Sequence, residues 1–168
     1  MATIPDEEWY EVVVEIPQGS RNKYEVDHET GAVWYDRHLF STTVSPTDYG
    51  FFPDTHAEDG DPLDALILLE DPTFPGCHVR VRPVAVLEMS DEAGRDLKVL
   101  CVASGDVRWD HLQDVTDVPA HVLAEIKHFF EVYKDLEPGK DSNVGDWTGH
   151  ADAIAAIENA RKAYADQH

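Results

Sequence analysis

The residues best suited to chemistry lie between positions 59 and 64, where Asp59, Asp61 and Asp64 place three carboxylates within six residues. No Lys or Arg lies between Asp54 and Glu70 to offset their charge. Two carboxylates about 4 Å apart repel by roughly 4 kcal/mol at an effective dielectric constant of about 20, so such a cluster needs cations or protons beside it. Carboxylate oxygens favour hard cations such as Mg²⁺. The spacing therefore predicts a divalent-metal site.

Two other structures could carry a segment of this composition, an EF-hand calcium loop and a plain acidic turn. An EF-hand requires an oxygen donor at its fifth position and Gly at its sixth, and here those positions hold Leu63 and Asp64. The EF-hand is therefore excluded. On this segment alone, the acidic turn remains an alternative to the metal site.

A second group of charged residues consists of Asp91, Asp96 and Lys98, around a predicted turn. Residues two apart on a strand face the same way, so Asp96 and Lys98 share a face, and Lys23 and Glu25 do likewise. Exposed ion pairs of this kind are common and contribute less than about 1 kcal/mol. Without further support, both pairs are interpreted as solvent-exposed ion pairs.

A third group could hold phosphate oxygens, because it combines cations with phenols. Its members are Arg37, Tyr49, Tyr133 and Lys134. Taken singly each is unremarkable, since Tyr133 also fits a helix core and Lys134 a solvated helix end.

The elements that position these groups change type along the chain. Apolar residues alternate in Tyr10–Ile16, which is typical of a half-buried strand, and further strands are predicted at residues 23–26, 32–35, 65–69, 79–87 and 97–103. We expect these strands to pair antiparallel. Beyond Pro119, helical spacing takes over until Pro138, and a second helix is predicted over residues 151–164. Strands followed by helices predict an α+β fold, in one domain spanning residues 1–168.

The charge balance limits the classes of partner. Thirty-four acidic and 13 basic residues give a net charge of −21, which disfavours nucleic acid and anionic membranes as partners. Cys77 and Cys101 lack metal or redox spacing and are expected to be buried, reduced thiols. No apolar run is long enough to span a bilayer, so a cytoplasmic protein is expected.

Taken in order, several short motifs strongly resemble those of the family I soluble inorganic pyrophosphatases, from about residue 12 to residue 162. The motifs are Glu-Ile-Pro at 15–17, Lys-Tyr-Glu at 23–25, Asp-Arg at 36–37, Pro-Thr-Asp-Tyr-Gly at 46–50, Asp-Gly-Asp-Pro-Leu-Asp at 59–64, Asp-Glu-Ala-Gly-Arg-Asp-Leu-Lys at 91–98, and His-Phe-Phe-Glu-Val-Tyr-Lys-Asp at 128–135. The resemblance implies a five-stranded β-barrel of the OB type with flanking C-terminal helices. It also implies Mg²⁺-dependent hydrolysis of pyrophosphate to two phosphates, with Mn²⁺ as a possible substitute, and a bacterial-type homohexamer.

The resemblance further assigns a role to each candidate residue. It implies that Asp61 is the general base and that six acids serve the metal ions. These six are Asp59, Asp64, Asp91, Asp96, Glu25 and Glu15. It also implies that six residues bind the phosphates of the substrate: Lys23, Arg37, Tyr49, Lys98, Tyr133 and Lys134.

One position departs from the family pattern. Relatives usually have Tyr where this chain has Ser45, so a phenol near the metal site is missing. We expect slower turnover or an altered metal preference.

The rival functions are a non-catalytic OB-type module that binds nucleic acid, and a degenerate relative that keeps the metal and acts as a regulator.

Overall fold

The computed structural model describes residues 1–168 and contains nine β-strands and two α-helices. The strands are β1 (Tyr10–Ile16), β2 (Asn22–Val26), β3 (Val33–His38), β4 (Asp48–Phe51), β5 (Asp64–Leu68), β6 (His78–Asp91), β7 (Gly94–Arg95), β8 (Lys98–Ala103) and β9 (Ser142–Thr148). The helices are α1 (Ala120–Val132) and α2 (His150–Gln167). The predicted α+β class is confirmed.

Five strands close into a ring in the order β1, β4, β5, β8 and β6, and β6 pairs back onto β1. This ring is the predicted five-stranded barrel, while β7 and β9 extend the sheet along β6. The expectation of purely antiparallel pairing is wrong at one position, because β5 and β8 run parallel. A long excursion of the chain through β6 and β7 makes this parallel pairing possible.

The two helices cover different sets of strand residues. Ala65 and Ile67 belong to one buried cluster together with Ile157 of α2, whereas Leu66 packs in a second cluster with Phe130 of α1. Successive strand residues point to opposite faces, so one strand serves both clusters. The helices therefore flank the sheet, as predicted.

Strands β2 and β3 form a separate two-stranded hairpin outside the ring. Both faces of β3 are open, and Trp34 and Tyr35 are 65% and 59% exposed. The hairpin is therefore less enclosed by the core than the strands of the ring.

Three local features differ from the sequence-based expectations. Strand β4 was not predicted, since it has four residues and contains Gly50, and β9 was missed because its sequence is mostly polar. Both strands exist through pairing with distant strands. Helix α1 ends at Val132, before Pro138. Tyr133 caps the helix, because its amide donates to the Phe129 carbonyl at 2.9 Å, and its ring packs against Phe129 and Phe130.

The two cysteines form no disulfide, and their environments differ. Cys101 is fully buried as expected, whereas Cys77 is only half-buried. Neither helix is both long and apolar enough to traverse a lipid bilayer.

Candidate active site

A cavity of about 420 Å³ brings the predicted site residues together. All thirteen of them line it, although they come from strands, loops and a helix end spread over residues 15–134. The ring strands supply Glu15, Tyr49, Asp64 and Lys98. The β2–β3 hairpin supplies Lys23, Glu25 and Arg37. Sequence spacing alone did not show that these groups meet.

The centre of the cavity is built around the Lys98 ammonium, which is buried. Its Nζ lies 2.6 Å from Oδ2 of Asp64, 3.0 Å from both carboxylate oxygens of Asp96 and 2.9 Å from the hydroxyl of Tyr49. Parallel pairing of β5 and β8 sets Asp64 directly beside Lys98. The predicted common face of Asp96 and Lys98 is observed, and it points inward rather than to the surface.

The charges in this centre influence one another strongly. Burial favours the neutral amine of Lys98, but Asp64, Tyr49 and Asp96 outweigh it and hold the pKa of the ammonium well above its usual value. Burial raises the pKa of Asp96, and Lys98 opposes that shift. Burial also raises the pKa of Asp59. Burial thus disfavours the ionised forms of these two carboxylates.

Glu15 enters the cavity because the strand that carries it is irregular. The pairing of β1 with β4 shifts register between Val14 and Ile16, and this bulge redirects the buried Glu15 side chain. Burial raises the pKa of Glu15 to about 8, with further contributions from Glu25 and Asp64. Burial and the neighbouring acids thus disfavour the ionised form of Glu15 at this edge of the cavity.

The loop between β4 and β5 carries Asp59 and Asp61. The buried Thr55 hydroxyl donates to the carbonyl of Phe52 at 2.6 Å and accepts from the amide of Leu63 at 2.9 Å, so it ties the two ends of the loop together. Oδ1 of Asp59 accepts the Asp61 amide at 3.0 Å. The Asp61 carboxylate is exposed and has no hydrogen bond or ion pair with the protein.

Further cations line the cavity, each with an acidic partner. Lys23 lies 2.9 Å from Glu25 within the hairpin, as the strand spacing predicted. Lys134 follows α1 and lies 3.7 Å from Asp91. Burial lowers the pKa of Lys134, but the adjacent Tyr133 phenol outweighs it, so the net shift is upward.

The cavity also includes residues that the sequence analysis did not select. His28, Glu92 and Lys140 line it, and Ser45 lies at its wall with only 3% of its surface exposed. Glu137 lies behind it, paired with Arg37. Glu92 lies within the motif at residues 91–98, and Ser45 is the departure from the family pattern. No motif includes His28, Lys140 or Glu137, although the position of Glu137 three residues after Lys134 is a weak signal.

The residues present suit a hard cation by their chemistry. No three His, Cys, Asp or Glu side chains converge closely enough in this structure to coordinate one ion. The Lys98 ammonium forms ion pairs with both Asp64 and Asp96, so these carboxylates already have a cation beside them. The donors are all oxygens, which Mg²⁺ and Mn²⁺ prefer.

A closed ring of β-strands with a cavity that combines acids and cations is typical of an enzyme for small phosphorylated substrates. Comparison with known proteins identifies which enzyme this is. A family model described as inorganic pyrophosphatase matches residues 12–165, and the chain belongs to that family. Its reaction is the hydrolysis of inorganic pyrophosphate.

The similarity to individual relatives supports membership of this family. The chain is 56% identical over 158 residues to the inorganic pyrophosphatase of Streptomyces coelicolor, covering 94% of this chain and 97% of the relative. It is 60% identical over 149 residues to that of Leifsonia xyli, covering 89% and 91%. The crystal structure of the inorganic pyrophosphatase from Thermus thermophilus superposes with a TM-score of 0.91 at 45% identity, covering 98% of this chain and 96% of that one.

Proposed function

We propose that this pyrophosphatase depends on Mg²⁺ and uses Asp61 as the general base toward an attacking water. The observation that carries the proposal is the meeting of all thirteen predicted residues in one cavity. Asp61 suits the role because its carboxylate is exposed to the cavity and is not engaged by the protein. A base must be free to accept a proton when water attacks phosphorus.

The acids of the cavity divide into two sets in this proposal. Asp59, Asp64 and Asp96 would hold the tightly bound Mg²⁺, and Asp91 with Asp96 would hold a further ion that enters with the substrate. Glu25 would hold another ion through water, and Glu15 would complete the acidic rim. The raised pKa values of Asp59, Asp96 and Glu15 support this arrangement, because divalent cations would favour the ionised carboxylates.

The basic and phenolic residues bind the two phosphates. Lys23 and Arg37 approach from the hairpin, and Tyr133 and Lys134 approach from the end of α1. Lys98 and Tyr49 contact each other, and Lys98 also contacts the acids Asp64 and Asp96. When bound, Mg²⁺ would lower the pKa of the attacking water and offset charge on the phosphate oxygens. Positioning and charge neutralisation supply most of the catalysis in phosphoryl transfer, so no protein nucleophile is needed.

The chain is proposed to act as one cytoplasmic domain of residues 1–168 that assembles as a homohexamer. The exposed aromatic residues Trp34, Tyr35 and Phe74 support assembly, because apolar surface of this kind is often covered by a partner. Neither nucleic acid nor a membrane is a proposed partner. Modules of the OB type bind nucleic acid through basic grooves, and the net charge of −21 disfavours that alternative.

The proposal is tested by phosphate release from pyrophosphate, measured with Mg²⁺, with Mn²⁺ and after chelation of divalent metal. We expect rapid release at millimolar Mg²⁺, partial replacement by Mn²⁺ and loss of activity with chelator. Activity that persists after complete chelation would show that the metal assignment is wrong. Metal binding without turnover would support the degenerate, regulatory reading instead.

A further inference from the structure

Glu137 is a buried acid that the proposed reaction does not use. Its side chain is 6% exposed and does not line the cavity. Its Oε1 lies 2.9 Å from Nη2 of Arg37, which does line the cavity. Burying a carboxylate is costly unless it is paired, so the contact with Arg37 compensates a charge that water cannot reach.

The main chain of Glu137 belongs to the turn that carries Tyr133 and Lys134. Its amide donates to the carbonyl of Lys134 at 3.0 Å and closes the turn that follows α1. Lys134 and Tyr133 line the cavity from this turn. Glu137 therefore contacts Arg37 through its side chain and Lys134 through its backbone, and it links two groups of phosphate-binding residues.

The hairpin has a particular need for such a link, because β2 and β3 lie outside the closed ring. Lys23 and Arg37 are paired across the hairpin, so they move together. Their other acidic partners, Glu25 and Asp36, belong to the same hairpin and would move with it. Among the ion pairs of these two cations, the one with Glu137 connects to a different element.

We propose that Glu137 is a positioning residue for pyrophosphate binding. Its carboxylate holds the Arg37 guanidinium, and with it the hairpin, at the separation from Lys134 that a bound pyrophosphate requires. The inference rests on the proposed substrate-binding role of Arg37. A guanidinium held in place before binding loses less conformational freedom when the substrate arrives. Loss of this contact should weaken substrate binding and leave kcat little changed, because the same orientation of Arg37 serves the bound substrate and the transition state.

The test compares Glu137→Gln with Glu131→Gln, which removes the same charge from an exposed position on α1. We expect Glu137→Gln to raise the KM for pyrophosphate about tenfold while kcat changes less than about twofold. Glu131→Gln leaves both constants unchanged. Calorimetric titration with inorganic phosphate at saturating Mg²⁺ supplies a second readout, in which Glu137→Gln weakens binding and Glu131→Gln does not.

Arg37→Gln and the double variant Arg37→Gln/Glu137→Gln complete a cycle. If Glu137 acts through Arg37, the second substitution adds little to the KM of Arg37→Gln. If Glu137→Gln does not fold, Glu137→Asp keeps the charge on a shorter side chain, and we expect it to raise KM by a smaller factor.

Each contrary result has a separate meaning. An unchanged KM in both Glu137 variants, with a raised KM in Arg37→Gln, would overturn the inference and leave the proposed function intact. An unchanged KM in Arg37→Gln would remove Arg37 from the substrate-binding set, and the role of Glu137 with it. A fall in melting temperature without a change in KM would reduce Glu137 to a structural residue.

Discussion

The Lys98 ammonium lies 2.6 Å from Oδ2 of Asp64, although the two residues are 34 positions apart in the chain. They are neighbours because β5 and β8 pair in parallel with Asp64 opposite Lys98. An ammonium in the middle of proposed metal ligands has two effects. It stabilises the acids when no metal is bound, and it repels an arriving divalent cation.

This relationship predicts the behaviour of Lys98→Met. Without the ammonium, Asp64 and Asp96 are left uncompensated, so the metal-free protein should melt at a lower temperature. Mg²⁺ should then raise the melting temperature more than in the wild type, because the ion meets less repulsion. Turnover should fall at least about tenfold, since the proposed contact of Lys98 with phosphate is lost. Thermal scans with and without Mg²⁺ make the comparison, and a Mg²⁺-induced shift no larger than that of the wild type would contradict it.

Asp61→Asn isolates the proposed general base. We expect kcat to fall at least about a hundredfold, because the amide cannot take the proton of the attacking water. The melting temperature should stay unchanged, since the Asp61 side chain has no protein partner. Glu58→Gln, an exposed position in the same loop, is the matched control and should retain activity. Equal activity in the two variants would exclude Asp61 as the base.

Ser45→Tyr tests the one departure from the family pattern. Ser45 is buried at the cavity wall and its hydroxyl donates to the Thr47 carbonyl at 2.7 Å. Adding the phenol should raise turnover or change the Mg²⁺ dependence, measured as phosphate release over a Mg²⁺ series. Ser45→Ala removes the hydrogen bond without adding a phenol and serves as the control. The prediction fails if the Tyr variant matches the wild type in both respects.

Gly50→Ala should disrupt the pairing that positions Tyr49. A Cβ at residue 50 would lie only 2.0 Å from the carbonyl oxygen of Val13 and 2.8 Å from its carbon, both on the adjoining strand. Main-chain atoms in a closed ring cannot move aside cheaply, so we expect a loss of about 3 kcal/mol in the free energy of unfolding, measured in urea.

Gly19→Ala is the contrasting variant for this prediction. Gly19 has a φ of 83° but open space around it, so alanine there costs backbone strain of about 1–2 kcal/mol without overlap. A Gly50→Ala protein as stable as Gly19→Ala would mean that β1 and β4 separate more easily than their pairing implies.

Tyr10 provides a prediction about alkaline pH. Burial and the hydrogen bond from its hydroxyl to Glu158, 2.9 Å long, raise the pKa of Tyr10 to about 12, against about 10 in an unfolded chain. The folded state keeps its proton over this interval while the unfolded state loses it, so stability falls as pH rises from about 10 to 12. Tyr10→Phe should therefore be less stable than the wild type below pH about 10, and the difference should shrink toward pH about 12. Denaturation curves across this range would refute the prediction if the difference grew with pH.

Short-range sequence spacing was sufficient for part of the fold and site. The alternation in Tyr10–Ile16 predicted β1, and helical spacing beyond Pro119 predicted α1. The two-residue separation of Asp96 and Lys98 predicted their common face, which the 3.0 Å contact confirms. These features depend on backbone periods that local residues determine by themselves.

By itself, then, the sequence determined the acidic segment at residues 59–64, the α+β class and the family motifs. The tertiary structure decided that Asp64 meets Lys98, that β4 and β9 are strands, and that Cys77 is only half-buried. It also decided that Glu137 reaches Arg37 across 100 residues of chain. The physical reason is that the pairing of distant strands and the burial of distant side chains depend on the tertiary packing of the whole chain. The periodicity of nearby residues reports only local backbone structure.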